Sequence, residues 1–121
     1  MKGVGIDAVE LDRFRRALER TPGLVDRVFT AEEVAYARRR RDPTERLAAR
    51  FAAKEAVVKA MGVGIGRFPL RDVEIVRASS GQPAVVLHGK AAEVAAGQGI
   101  TGWLLSLTHT ERTAQAIACA L

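Results

Sequence analysis

One stretch of the sequence, residues 42–62, combines the start signal, the interior and the stop signal of a long helix. Asp42 is suited to cap this helix, Pro43 suits its first position, and Glu45 completes a capping box of the D-x-x-E type. Gly62 offers the left-handed conformation that closes many helices, and the residues between are mostly strong helix formers. We therefore expect a long central helix against which the other elements pack.

Charged residues interrupt the apolar face of this helix. At about 100° per residue, one apolar stripe is formed by Leu47, Phe51, Val58 and Met61. Lys54 lies within the stripe, Glu55 at its edge, and Lys59 one turn later. A charge on a core-facing arc must be paired, bound to a metal or placed at a cleft, because burying it alone is too costly. The alternative is an ordinary Glu–Lys pair on an exposed face, which contributes about 0.2–0.5 kcal/mol.

Length and hydropathy limit the classes of protein that this chain can belong to. Its 121 residues are enough for one domain, residues 1–121, with a modest core. No apolar run approaches the length of a membrane span, and the N-terminus lacks the apolar region of a signal peptide. We therefore expect a cytoplasmic protein. Cys119 is the single cysteine and lies in an apolar segment, so we expect it to be a buried small side chain.

The balance of charge is basic. There are 19 Lys and Arg against 14 Asp and Glu, a net charge of +5. Such a balance suits either a nucleic-acid surface or sites for phosphates and an acidic protein. Aromatic residues make up only 5% of the chain, which disfavours a platform for stacking bases. The arginines at 38–41 form the one dense basic patch, and both a solvated helix end and a partner-binding role remain open for it.

Local patterns place helices mainly in the first half of the chain and strands in the second. The pattern predicts strands at residues 3–9, 72–77, 83–88, 103–107 and 113–121, and helices after residue 10, after Thr30, at 42–62 and at 90–98. Thr30 and Glu33 form a second capping box. The glycine-spaced loop at 62–66 is not a dinucleotide fingerprint, because no strand directly precedes it. This order predicts an α+β fold with an antiparallel sheet.

Three motifs occur in a fixed order along the chain. They are Gly-Ile-Asp at 5–7, Arg-Phe-Ala-Ala-Lys-Glu-Ala-Val-Val-Lys-Ala at 50–60 and Ser-Leu-Thr-His-Thr at 106–110. Together they resemble the holo-[acyl-carrier-protein] synthase family of 4′-phosphopantetheinyl transferases, over essentially the whole chain. The resemblance implies a single lobe of that fold, with an antiparallel sheet packed on the long central helix. It also implies transfer of phosphopantetheine from coenzyme A to a serine of apo acyl carrier protein, with release of 3′,5′-ADP.

The resemblance assigns the catalytic centre. It makes Asp7 and Glu55 the ligands of Mg²⁺, a cation that prefers oxygen ligands and leaves places for phosphates and waters. Lys59 would contact a phosphate of coenzyme A as a compact point charge. For Asp7 alone, a helix cap is the competing interpretation. For Lys54, neutralising the metal site and a structural pairing both remain open.

The resemblance also assigns residues that bind the two substrates. Arg50, His109 and Thr110 match positions that contact the nucleotide end of coenzyme A. Gly62 matches a residue that lets the backbone close on the pantetheine arm, and Arg13 matches a position that meets the carrier protein. His88 matches no motif of the family, and we expect a structural role for it.

Chain length adds an expectation about assembly. The chain is about half the length of the two-lobed transferases, and the resemblance implies a homotrimer with one site at each interface. Asp7, Glu55 and Lys59 would then form one wall of a site, and His109 and Thr110 of a neighbouring chain the opposite wall.

Two other functions compete with the enzyme interpretation. A small basic nucleic-acid-binding module would fit the net charge, but no homeodomain, zinc-finger or RNA-binding sheet signature is present. A non-catalytic binder of carrier proteins would not need intact Asp7, Glu55 and Lys59. The sequence leaves open the carrier proteins that are modified, the use of acyl-coenzyme A and the identity of the general base.

Overall fold

A computed structural model describes all residues, Met1–Leu121. The elements are β1 (Gly3–Glu10), α1 (Leu11–Arg20), α2 (Leu24–Val28), α3 (Ala31–Ala37), α4 (Thr44–Met61), a 3₁₀ turn (Leu70–Asp72), β2 (Val73–Arg77), β3 (Pro83–Leu87), α5 (Gly89–Gly97), β4 (Trp103–His109) and β5 (Thr113–Ala120). An antiparallel sheet of order β1-β5-β4 packs on α4, while β2 and β3 form a separate antiparallel hairpin. The predicted α+β class, with the sheet packed on a long central helix, is confirmed. None of the helices is both long and apolar enough to cross a membrane.

The N-terminus of α4 differs from the predicted one. The helix begins at Thr44, with Pro43 as its N-cap, and no side chain caps it. The predicted capping box is therefore wrong. Asp42 instead accepts a hydrogen bond from the Thr44 backbone N–H at 3.0 Å, and Glu45 turns toward Arg40. At the other end the prediction holds, because Gly62 ends α4 in the left-handed conformation, with φ of 67°.

The buried surface of α4 is wider than one apolar stripe. Twelve of its 18 residues are buried, and many of them are alanines. Strand β1 crosses this surface at Gly3 and Gly5, where an added Cβ would overlap the carbonyl oxygens of Ala60 and Ala56. Glycine is required at both positions because the main chains of the strand and the helix are in direct contact. This contact fixes the position of the end of β1 relative to α4.

The opposite face of the three-stranded sheet is open and apolar. Val4, Ile6, Leu104 and Ile117 point to this side and are 54%, 63%, 60% and 41% exposed. The alternation in β1 therefore predicted the strand, but its larger side chains face outward and its glycines face the core. Cys119 pairs in register with Val4 and Leu104. It is only partly buried, contrary to prediction.

A buried ion pair joins α3, α4 and β2. The Lys54 Nζ donates to Glu33 Oε1 at 2.8 Å and to the carbonyls of Leu70 and Val73 at 3.2 and 2.6 Å. Glu33 also accepts from the Ile75 backbone N–H at 2.9 Å and completes the predicted capping box with Thr30. Burial lowers the pKa of Lys54, and the charge of Glu33 opposes this shift. Lys54 is thus a structural residue whose three donors are all used.

Candidate active site

The end of β1 and the last turns of α4 bring two of the predicted catalytic residues together. The Lys59 Nζ donates to Asp7 Oδ1 and to the Ile6 carbonyl, each at 3.0 Å. The side chains of Lys59 and Asp7 are 53% and 18% exposed. Lys59 is therefore paired across to the strand and not with Glu55 along its own helix. The Asp7–Lys59 pair is accessible to solvent and can be exchanged for a ligand.

Glu55 lies beside this pair and has no ion-pair partner in the chain. Burial raises the pKa of Glu55, the negative charge of Asp7 raises it further, and Lys59 opposes both. The mutual repulsion of the two carboxylates would be relieved by a cation between them. No cluster of three or more His, Cys, Asp or Glu side chains exists in the chain. Two carboxylates fit Mg²⁺, which completes its shell with phosphates and waters.

His109 and Thr110 lie away from these residues within one chain. The His109 Nε2 is 3.5 Å from Glu45 Oε1, near the N-terminus of α4. Glu45 precedes Glu55 by ten residues, which is roughly 15 Å along a helix. The Thr110 Oγ1 accepts hydrogen bonds from two backbone N–H groups of the β4–β5 turn, at 3.1 Å each, and so stabilises this turn. The structure therefore does not bring His109 and the Asp7–Lys59 pair together in one chain.

Gly62 and Arg13 are both accessible. No atom lies within 4 Å of the position that a Cβ on Gly62 would take, so a ligand could approach its backbone. Arg13 is exposed on α1 and forms no ion pair. The nearby Arg15, by contrast, pairs with Asp12 at 3.2 Å and with Asp42 at 3.1 Å. Of the two arginines, Arg13 is thus the one that is free to meet a partner.

Arg50 belongs to a second basic site, built around Tyr36. Its guanidinium carbon lies 4.1 Å from the centre of the Tyr36 ring, and that of Arg46 lies 4.2 Å from it. Arg77 donates to the Tyr36 hydroxyl at 2.8 Å, and Arg46 donates to the Tyr36 carbonyl at 2.9 Å. Arg50 is 6% exposed, and its Nε has no hydrogen-bond partner. We call Arg46, Arg50 and Arg77 the arginine trio.

A cavity of about 320 Å³ opens beside the arginine trio. Its lining includes Tyr36, Arg50, Arg77, the Gly81-Gln82-Pro83 turn and residues 105–107 of β4. Burial lowers the pKa of Arg50 from its ordinary value. Because guanidinium groups stay charged at any ordinary pH, the cavity wall is cationic and suits an anionic ligand.

Comparison with known proteins identifies the family of this chain. A model of the 4′-phosphopantetheinyl transferase superfamily matches residues 3–118. The holo-[acyl-carrier-protein] synthases of Moorella thermoacetica and Desulforudis audaxviator are 47% and 51% identical to the chain, over 98% of it and 92% of each relative. The chain belongs to the holo-[acyl-carrier-protein] synthase family of 4′-phosphopantetheinyl transferases. It is therefore an enzyme, which favours the transferase interpretation over the nucleic-acid-binding one.

Solved structures of holo-[acyl-carrier-protein] synthases have the same fold. The enzyme of Neisseria meningitidis superposes with a TM-score of 0.91 at 32% identity, over 100% of this chain and 98% of that one. The enzyme of Helicobacter pylori, solved in complex with coenzyme A, gives a TM-score of 0.85 at 26% identity, over 98% and 99%. The predicted single-lobed transferase fold is confirmed.

Sequence motifs of the holo-[acyl-carrier-protein] synthase family did not indicate the whole arginine trio. Arg50 lies in the central motif, but Arg46 and Arg77 do not, and Tyr36 was not singled out. Tyr36 is the single tyrosine of the chain, which is a weak signal. Its partner Arg77 is 41 residues away, so no local spacing connects the two.

His88 has the structural role that we expected. Its Nε2 lies 2.9 Å from Glu74 Oε1, and the other oxygen of Glu74 accepts from the Thr30 hydroxyl at 2.8 Å. Burial would raise the pKa of Glu74, but the bonds from His88 and Thr30 lower it overall. These contacts join β2 to the start of α3 and of α5.

Proposed function

We propose that this chain transfers the 4′-phosphopantetheine group from coenzyme A to a serine of apo acyl carrier protein, releasing 3′,5′-ADP, with Mg²⁺ as cofactor. Residues 1–121 would act as one transferase domain. The observation that carries the proposal is the accessible Asp7–Lys59 pair beside the unpaired carboxylate of Glu55. The coenzyme A complex of the Helicobacter pylori enzyme supports the choice of donor.

Asp7, Glu55 and Lys59 would divide the work at the pyrophosphate. Asp7 and Glu55 would hold Mg²⁺, which when bound neutralises the charge that develops on the leaving phosphate. Asp7 cannot hold both the cation and Lys59 at full strength, so Lys59 would be released toward a phosphate oxygen of coenzyme A. Its half-exposed side chain leaves it room for this movement.

The nucleotide and the pantetheine arm would lie on either side of this centre. The cavity beside Arg50 is of the size and charge that suit a nucleotide, and His109 and Thr110 would line the same end. The accessible backbone at Gly62 would contact the pantetheine arm. Arg13 would dock the acidic carrier protein by charge complementarity.

We further propose that the active enzyme is a homotrimer with a site at each interface. His109 contacts Glu45, which precedes Glu55 by ten residues along α4, and this separation supports a site completed by a neighbour. The open face formed by Val4, Ile6, Leu104 and Ile117 is an apolar surface that a second copy would cover. Head-to-tail contacts of this kind close into a ring when the rotation permits.

Transfer itself can be measured by mass. The chain is incubated with coenzyme A, Mg²⁺ and an apo acyl carrier protein, and the carrier should gain the mass of phosphopantetheine while 3′,5′-ADP is released. Omitting Mg²⁺ or adding a chelator should prevent the gain. A carrier that stays unmodified in the complete mixture, or a reaction unaffected by the chelator, would overturn the corresponding part of the proposal.

The shared site can be tested by mixing two inactive variants. Glu55→Ala and His109→Ala should each be impaired alone, and refolding them together should restore activity at interfaces that pair an intact Glu55 with an intact His109. Light scattering should report three chains. If chain exchange is confirmed by mass spectrometry and the mixture is no more active than its components, both residues act within one chain.

A further inference from the structure

The arginine trio is a set of cations without an anion. None of Arg46, Arg50 and Arg77 forms an ion pair. Their acceptors are the carbonyl, the hydroxyl and the ring face of one residue, Tyr36. The carbonyl and the ring face are neutral. Burial would raise the pKa of the Tyr36 hydroxyl, but the hydrogen bond from Arg77 and the charges of the trio lower it overall. Even an ionised hydroxyl would cancel only one charge of three, so the trio keeps a net positive charge inside the chain.

Burial makes this arrangement costly unless a ligand joins it. Arg50 is only 6% exposed, and its Nε is buried without a hydrogen-bond partner. A buried donor without a partner loses the free energy of its hydration. The opening beside it, lined by Tyr36, Arg50 and Arg77, is large enough for part of a nucleotide. An anion there would balance the charge of the trio through charge-assisted hydrogen bonds.

Lys54 shows what a purely structural cation looks like in this chain. It is buried, as Arg50 is, but it has a carboxylate, Glu33, as its partner. A carboxylate at position 36 would cancel one of the three charges of the trio and leave less positive charge for a ligand. The tyrosine holds the guanidinium groups through its ring and hydroxyl, without cancelling their charge.

We propose that Tyr36 is a positioning residue that holds the arginine trio for the 3′-phosphate of coenzyme A. This inference rests on the proposed function. The Asp7–Lys59 pair and Glu55 account for the pyrophosphate, and the other anionic group of coenzyme A is the phosphate on its ribose. Tyr36 therefore sets the preference for coenzyme A over dephospho-coenzyme A, which lacks that phosphate, without contacting the reacting atoms.

The test compares the two donors in variants of Tyr36. Tyr36→Leu removes both the ring face and the hydroxyl, whereas Tyr36→Phe removes only the bond to Arg77. Phe14→Leu is a matched control, because Phe14 is a buried aromatic residue that packs on Phe51 away from the trio. For each protein, KM and kcat are measured with coenzyme A and with dephospho-coenzyme A, together with the melting temperature.

In Tyr36→Leu we expect KM for coenzyme A to rise about tenfold or more, because a rise of this size corresponds to the loss of one hydrogen bond to a charged group. We expect kcat to stay nearly unchanged. KM for dephospho-coenzyme A should change much less, so the preference for coenzyme A falls. Tyr36→Phe should lose part of the preference. Phe14→Leu should lower the melting temperature and keep the preference.

The outcomes separate this inference from the proposed function. A wild-type chain that does not use coenzyme A at all would overturn the proposed function. An active wild type without a preference for coenzyme A would overturn only the role of the trio. An equal rise in both KM values in Tyr36→Leu, or no rise in either, would likewise show that Tyr36 does not position the trio for the 3′-phosphate.

Discussion

Two lysines of α4, Lys54 and Lys59, form ion pairs of opposite character. Lys54 and Glu33 are 0% and 1% exposed, and the lysine uses all three of its donors. Lys59 and Asp7 are 53% and 18% exposed, and a second carboxylate, Glu55, stays unpaired beside them. The first pair is closed to ligands. The second is open to solvent, and the charge of Glu55 beside it is not cancelled.

The comparison separates charges that stabilise the fold from charges kept for a ligand. Breaking a buried pair leaves an uncompensated charge in the interior and costs about 3–5 kcal/mol. A pair that solvent reaches contributes about 0–1 kcal/mol, so its loss is tolerated by the fold. Accessibility and an unpaired neighbour are therefore the features on which we propose the Asp7–Lys59 pair as the functional one, although both lysines lie in the same motif.

The largest effect should follow from removing a carboxylate at the open pair. We expect Asp7→Ala and Glu55→Ala to lower the rate of transfer by at least about 100-fold, the upper end for groups that only support a metal ligand. The melting temperature should stay close to that of the wild type, because an open ion pair contributes little to stability. Transfer at saturating Mg²⁺ and thermal unfolding are the two measurements.

A matched control for this pair of variants is Glu93→Ala, an exposed carboxylate on α5. It should change neither the rate nor the melting temperature. Near-normal turnover by a folded Asp7→Ala or Glu55→Ala variant would show that the open pair is not the metal site.

The closed pair should give the opposite result. Lys54→Met leaves Glu33 buried without its partner, and we expect the free energy of unfolding to fall by about 3–5 kcal/mol. Adding Glu33→Gln should recover part of this loss, because a neutral amide can still accept from the backbone N–H of Ile75. Denaturant unfolding at fixed protein concentration measures both changes.

The exposed Lys90 on α5 provides the control for the closed pair. Lys90→Met should change the free energy of unfolding by less than about 0.5 kcal/mol. If Lys54→Met is as stable as Lys90→Met, the closed pair does not stabilise the fold and the contrast between the two lysines is lost.

The smallest effect concerns the exposed cation Arg13. Charges at the rim of an interface mainly set the rate of association and its dependence on salt. Arg13→Glu should therefore raise KM for the carrier protein about tenfold at low salt, with KM for coenzyme A unchanged. Lys90→Glu, the same change of charge on α5, should alter neither. Equal changes in both KM values for Arg13→Glu would exclude a role in docking the carrier.

Local signals were sufficient for much of the fold. The capping box of Thr30 and Glu33, the stop at Gly62 and the two antiparallel pairs of strands follow from patterns a few residues long. The capping box expected at Asp42 does not form, because the helix begins at Thr44 and Pro43 takes the N-cap position. The outward face of β1 was missed because the contact that decides it, glycine against helix backbone, is between distant segments.

The candidate site was predictable only where the family motifs contained its residues. Asp7, Glu55 and Lys59 were indicated by motifs in a fixed order, and the structure places Asp7 against Lys59. Lys54 was indicated as a charge facing the core, but its partner Glu33 lies 21 residues away and could not be identified. Tyr36 and Arg77 are separated by 41 residues, and only folding makes them neighbours.

The glycines of β1 determine how far the candidate site depends on the packing of the surrounding core side chains. Since the main chains of β1 and α4 touch at Gly3 and Gly5, the gap between the backbones that carry Asp7 and Glu55 is set by contact of main-chain atoms and not by packing of side chains between them. Neighbouring core residues can repack without altering that gap. A single methyl group at residue 5 would push the strand away from the helix, and it would move the two carboxylates apart while leaving both side chains chemically intact.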